Sequence, residues 1–220
     1  MRSELEAIAR EFSSCRLCQH LQVPEDARRT QFSSLALQSL PGRTRVLFLA
    51  ESPPQPTKNG KEPYFFRDES TPEEGRSTLF WALAEVLDLA RRCGWTAEEA
   101  KAHRAQSKPR LLSEFVDRGF WLVDAAKCAV NGVSSQRKKD QALHLCCETW
   151  TMKEVRMLDP EGIVVIKANV WPIAHPLLTS WGLADRLLND GPIPYPNHGH
   201  QGHFRDRMLG LIRANPHLFR

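Results

Sequence analysis

The sequence predicts an α/β protein with a mostly parallel sheet. Three short apolar runs, Arg45-Val-Leu-Phe-Leu-Ala50, Phe120-Trp-Leu-Val-Asp-Ala125 and Gly162-Ile-Val-Val-Ile-Lys167, lack polar alternation, the pattern of strands buried on both faces. Between them lie segments with helical spacing: Ser77 to Arg92 places Leu79, Phe80, Leu83, Val86, Leu87 and Ala90 on one stripe, and Gln141 to Leu158 behaves alike. Strands that alternate with helices imply a parallel sheet covered on both sides. No repeat, linker or low-complexity tract divides the chain, so residues 1–220 are expected to form a single domain, with the segment 1–40 packed on it.

The elements follow in order. Leu5 to Phe12 predicts a short helix that leads into Cys15-Arg-Leu-Cys18, and the polar stretch with Pro24 and Pro41-Gly42 reads as loop. The first strand ends at Glu51-Ser-Pro-Pro54. The helix from Ser77 meets a stop signal at Gly94, and the second strand runs into Lys127-Cys128-Ala-Val-Asn131 and then a basic polar loop. After the third strand, Pro192-Ile-Pro-Tyr-Pro-Asn197 reads as a rigid extended segment and Phe204 to Ala214 as the last helix. In open parallel sheets ligands bind beyond the carboxyl ends of the strands. That rule gathers Glu51 to Pro54, Lys127 to Asn131 and Tyr195 to His203 at one rim.

Bulk properties narrow the chemistry. A hydrophobic share of 41% over 220 residues suits a sizeable core. The amino terminus mixes acids with apolar residues and lacks a signal or membrane span, so a cytoplasmic protein away from the membrane is expected, and it is expected to be a monomer. In a reducing compartment the six cysteines read as ligands or redox groups rather than disulfides. A net charge of +4 suits a polyanionic partner, with basic residues concentrated at Lys101 to Arg110, Arg137 to Lys139 and His203 to Arg213. Each of these runs is equally readable as a solvated face.

Cys15 and Cys18, joined by Cys128 at a strand end and by Cys146 or Cys147 in the next helix, form a set of soft ligands that suits zinc or an iron–sulfur cluster. With the strand-end motifs Ala50-Glu51-Ser52-Pro53-Pro54, Tyr64-Phe65-Phe66, Lys127-Cys128-Ala129-Val130-Asn131 and Tyr195-Pro196-Asn197, the chain resembles families four and five of the uracil-DNA glycosylase superfamily over nearly its whole length. The resemblance implies a three-layer α/β/α sandwich, DNA as partner, and a structural 4Fe-4S cluster in preference to zinc. It implies Cys15, Cys18, Cys128 and Cys147 as ligands, since Cys147 stands at the family's interval from Leu158-Asp159-Pro160.

It also implies a monofunctional glycosylase that releases uracil or a modified or damaged pyrimidine, a hypermodified phage base included, in DNA repair or phage defence. Such an enzyme flips its target out of the stack and reads it in a pocket. Asn131, whose amide both donates and accepts, would read the base; as a residue before Gly132 it could equally cap a loop. Phe65 would stack on the base, with Phe66 and Tyr64 beside it, each also suited to core packing. Glu51 would orient water or stabilise an oxocarbenium-like sugar, and Ser52 and Pro53 would lie against the base. The family's His before Pro is Tyr195 here, so His198, then His200, would stabilise the departing base, with Asn197 beside them. Leading Ala50 and Ser52-Pro53-Pro54 also differ from the family's Gly-Glu-Ala-Pro-Gly, which shifts the expected base away from plain uracil. The alternative is a non-catalytic nucleic-acid-binding member of the same fold.

Overall fold

The computed structural model describes residues 2–21, 40–54, 65–66, 77–197 and 199–220. Three strands, β1 (Val46–Ala50), β2 (Phe120–Asp124) and β3 (Gly162–Val165), form a parallel sheet in the order β2-β1-β3. Val46 pairs with Phe120 on one side and Gly162 on the other, and the register runs on to Ala50 opposite Asp124 and Leu49 opposite Val165. Every strand residue is buried, which an unbroken apolar run requires and which demands cover on both faces. The chain is thus a mixed α/β protein.

The α-helices among the described residues are α1 (Arg2–Ser13), α2 (Thr78–Val86), α3 (Leu89–Arg92), α4 (Ala97–Ala102), α5 (Arg104–Asp117), α6 (Gln136–Cys146), α7 (Met152–Leu158), α8 (Trp171–Ser180) and α9 (Gln201–Ala214). The helix expected from Ser77 to Arg92 divides because Asp88 is left-handed, with φ 54°. Helices α4 and α5 replace what reads in sequence as a basic stretch. Thr96 and Glu99 cap α4 reciprocally, at 3.1 Å and 2.8 Å. Lys108 in α5 is fully buried, its Nζ 5.0 Å from the centre of the Phe80 ring, so this charge run is not one solvated face.

The basic loop expected after Asn131 is corrected in the same way. Ser135 caps α6 by accepting the Lys138 N–H at 3.3 Å, which places Arg137, Lys138 and Lys139 in its first turns. Helices α6 and α7 are joined through a π-helical turn, Cys147–Thr151, in place of one uniform helix from Gln141. Thr151 Oγ1 donates within this turn to the carbonyl of Asp124 or Ala125, at 3.1 Å and 3.0 Å, and so fastens the turn to the end of β2. Helix α1 packs on α7, α5 on β2, and α9 on α2.

Parallel alignment brings all three carboxyl ends to one rim. Ala125 and Ala126 continue the ladder to the carbonyls of Ala50 and Glu51, both at 2.8 Å. The outer edge of β3 meets the extended segment through bridges from Ile163 to Leu187 and from Ile166 to Ile193. Between them the Asn189 amide takes the place of a strand: its Oδ1 accepts from Val165 N–H and its Nδ2 donates to Val165 O, both at 3.0 Å. The extended segment thereby delivers Tyr195 and Asn197 to the rim.

At the opposite end of the sheet, Gly119 turns the chain into β2 with φ 76°. A Cβ there would stand 2.7 Å from the Arg43 carbonyl oxygen, and the Gly119 carbonyl accepts from Arg45 N–H at 2.7 Å. Gly119→Ala is therefore expected to lower stability by roughly 2–3 kcal/mol, read as a lower urea midpoint with an unchanged slope.

Candidate functional site

A cavity of about 240 Å³ opens at the rim where the three strands end. Glu51 follows β1 directly, Asp124 closes β2, Lys167 lies just past β3, and Tyr195 and Asn197 come from the extended segment; all five line the cavity, with Ser52, Pro53 and Phe65. The sequence-predicted residues Glu51, Ser52, Pro53, Phe65 and Asn197 are thus brought together. The Ser52 hydroxyl is buried without a hydrogen-bond partner among the described residues.

Glu51 is the electrostatic centre of the rim. Its side chain is only 5% exposed and accepts from Lys139 Nζ at 2.8 Å, from Lys167 Nζ and from Asn169 Nδ2. Burial pushes the carboxyl up, but the three donors together outweigh it and hold the group below the usual carboxylate range. Glu51 is an anion made possible by its neighbours. Tyr195 lies under Lys167, whose Nζ is 5.6 Å from the ring centre, and burial, with Asp124 and Glu51 adding, pushes its phenol up to about 12. It is a neutral hydroxyl at physiological pH.

Phe65 serves the core as well as the cavity, packing at 5.3 Å on both Phe80 and Phe115. Phe66 packs on Trp121 with the rings tilted by 34° and their centres 4.5 Å apart. His200 is exposed, pairs edge to face with His203, and stands outside the cavity lining. His198 and Tyr64 lie outside the described residues. Asn131 occupies the 3₁₀ turn Val130–Gly132 after β2, and its side chain is likewise outside the description. Sequence reasoning missed Lys139 and Asn169 as partners of Glu51. The rule that gathers strand ends, applied to the third strand itself, finds Lys167 and Asn169; nothing local points to Lys139, which a helix brings in.

A second pocket lies beside α1 and is lined by Cys15, Cys18, Cys128 and Cys146, together with Phe12 and Leu17. Cys147 is fully buried in the core and does not line it. The fourth cysteine of this group is therefore Cys146, one residue before the position preferred on the family's interval, because the chain enters its π turn at Cys147. Two N–H donors already serve sulfur: Lys127 N–H to Cys146 Sγ at 3.1 Å and the Trp150 indole to Cys15 Sγ at 3.3 Å. Donors of this kind support thiolates that hold a metal. Among the described residues no group of three or more His, Cys, Asp or Glu is set to hold a metal ion. The four sulfurs that line the pocket are soft donors of the kind zinc or an iron–sulfur cluster takes.

The network around Glu51 has a signature in pH. A depressed folded-state pKa contributes stability that is complete above the ordinary value of 4.5 and is lost as pH falls through the lower folded value. Glu51→Gln removes the anion that Lys139 and Lys167 share and is expected to cost about 2–3 kcal/mol at pH 7, part-exposure of both lysines reducing the full buried-pair figure. That deficit should shrink steadily below about pH 4.5 in chemical unfolding; a deficit independent of pH would contradict the ionised network.

No helix among the described residues is long and apolar enough to cross a membrane. Comparison of the chain with protein-family models and with curated proteins finds no match.

Proposed function

We propose that this chain is a monofunctional DNA glycosylase of the uracil-DNA glycosylase type, with a three-layer α/β/α core, that releases uracil or a modified pyrimidine by hydrolysis. The observation that carries this reading is the convergence of an ionised Glu51, an aromatic face at Phe65 and polar side chains at Ser52, Tyr195 and Asn197 in one strand-end cavity. Its volume, below the range for drug-sized ligands, leaves room for a single base. A flipped nucleotide would stack against Phe65 and be read by Asn131. The Glu51 carboxylate would orient the attacking water and stabilise positive charge on the sugar.

In this reading Cys15, Cys18, Cys128 and Cys146 hold a structural 4Fe-4S cluster that ties the segment after α1 to the end of β2. Bound there, the cluster would supply a cross-link and no step of the reaction. Helix α6 would connect the two centres: Lys139 on Glu51 and Cys146 at the thiol pocket are seven residues apart, two turns along one face and roughly 10 Å in rise. DNA as partner, a monomeric state and a cytoplasmic setting belong to the same proposal.

One observation favours a second reading, a binding module without catalysis: Glu51 is already engaged by three donors, and Tyr195 stands where the family has histidine. Base release from single-stranded and mismatched oligonucleotides carrying uracil or modified pyrimidines decides between them. The glycosylase leaves abasic sites, and Glu51→Gln slows it by about 100-fold or more. Salt-dependent DNA binding without abasic product on any substrate supports the module.

The cofactor is tested apart. Protein purified anaerobically is expected to be brown, with the broad visible absorption lost in Cys146→Ala and kept in Cys147→Ala. Zinc in place of iron would defeat the cluster.

A further inference from the structure

We propose that Lys167 is a catalytic residue of this site, its ammonium group stabilising the negative charge on the departing base. The inference rests on the glycosidic reading above and deepens it. When the C1′–N1 bond of a pyrimidine nucleotide breaks, the electron pair leaves with the base, whose anion spreads over N1 and O2. The water oxygen bonds to C1′, and the proton it sheds is taken by Glu51 and returned to the base. A cavity that promotes this step needs a cation or strong donor beside the leaving group.

Among the described residues that line the cavity, Lys167 is the one cation. Its Nζ meets Glu51 on one side and the Tyr195 ring at 5.6 Å on the other, between the proposed water-orienting carboxylate and the segment that carries Asn197. The side chain keeps 31% exposure, so it is open to the cavity rather than sealed beneath it.

The backbone adds an independent argument. Lys167 adopts φ 85°, a left-handed conformation that glycine takes freely and a lysine does not. The conformation is enforced by the edge of the sheet, where Lys167 N–H donates to Ile193 O at 2.6 Å and Ile166 bridges to Ile193. A residue with a long cationic side chain stands where the backbone conformation alone favours glycine. Strain of this kind concentrates at functional groups. The ion pair with Glu51 also marks the role as electrostatic rather than nucleophilic.

The test compares Lys167→Gly, Lys167→Arg and wild type in single-turnover base release from two single-stranded oligonucleotides, one with uracil and one with 5-fluorouracil, whose anion is the better leaving group. Lys167→Gly should slow release of uracil on the order of 100- to 1000-fold, with a much smaller loss on 5-fluorouracil. Its unfolding midpoint should fall, because buried Glu51 loses one of its donors, while unfolding stays cooperative, and Lys167→Arg should recover most of the rate. A Lys167→Gly enzyme that keeps the wild-type rate on uracil, or loses the same factor on both bases, overturns the role of Lys167 and leaves the glycosylase reading standing. Wild type that releases neither base overturns both.

Discussion

The rim of this protein depends on how a carboxylate is kept charged in a place where water scarcely reaches it. Glu51 follows the central strand and is nearly buried, and an isolated carboxylate there would take up a proton rather than remain an anion. Three donors prevent that, from two parts of the chain: Lys167 and Asn169 from the turn just past β3, and Lys139 from the first turns of α6. The network joins the middle of the sheet to one edge and to one covering helix.

The same helix extends that dependence to the cysteines. From the Glu51 network, α6 runs to Cys146, and the π turn that follows inserts its extra residue where Cys147 would otherwise have continued the face. That turn is held to the end of β2 by Thr151, and its Trp150 donates to Cys15 near the amino terminus. Lys127, between Asp124 of the rim and Cys128 of the pocket, gives its N–H to Cys146 and its side chain to Glu154. The thiol pocket and the rim cavity are thus two ends of one packed unit rather than separate features.

Strain and cover complete the arrangement. Lys167 leaves the sheet in a conformation foreign to its residue type, because the extended segment must pair at Ile193 while the chain turns towards α8. The Asn189 amide makes strand-like hydrogen bonds to Val165, which allows that segment to stay irregular and still bring Tyr195 beneath Lys167.

The sequence by itself determined the three strands, their parallel order of burial and the rim at which they end, since an unbroken apolar run has no stable place except between two covering layers. It also made Glu51, Phe65 and Asn197 visible as members of one site. Periodicity could not mark α5, where Lys108 breaks the apolar face yet is buried, or the start of α6, whose first turns carry only polar residues. Those depend on neighbours distant in the chain. That Cys146 rather than Cys147 lines the thiol pocket, and that Lys139 pairs with Glu51, depend on tertiary structure alone. One inserted residue in a helical turn rotates everything after it, and no count along the chain records where that insertion falls.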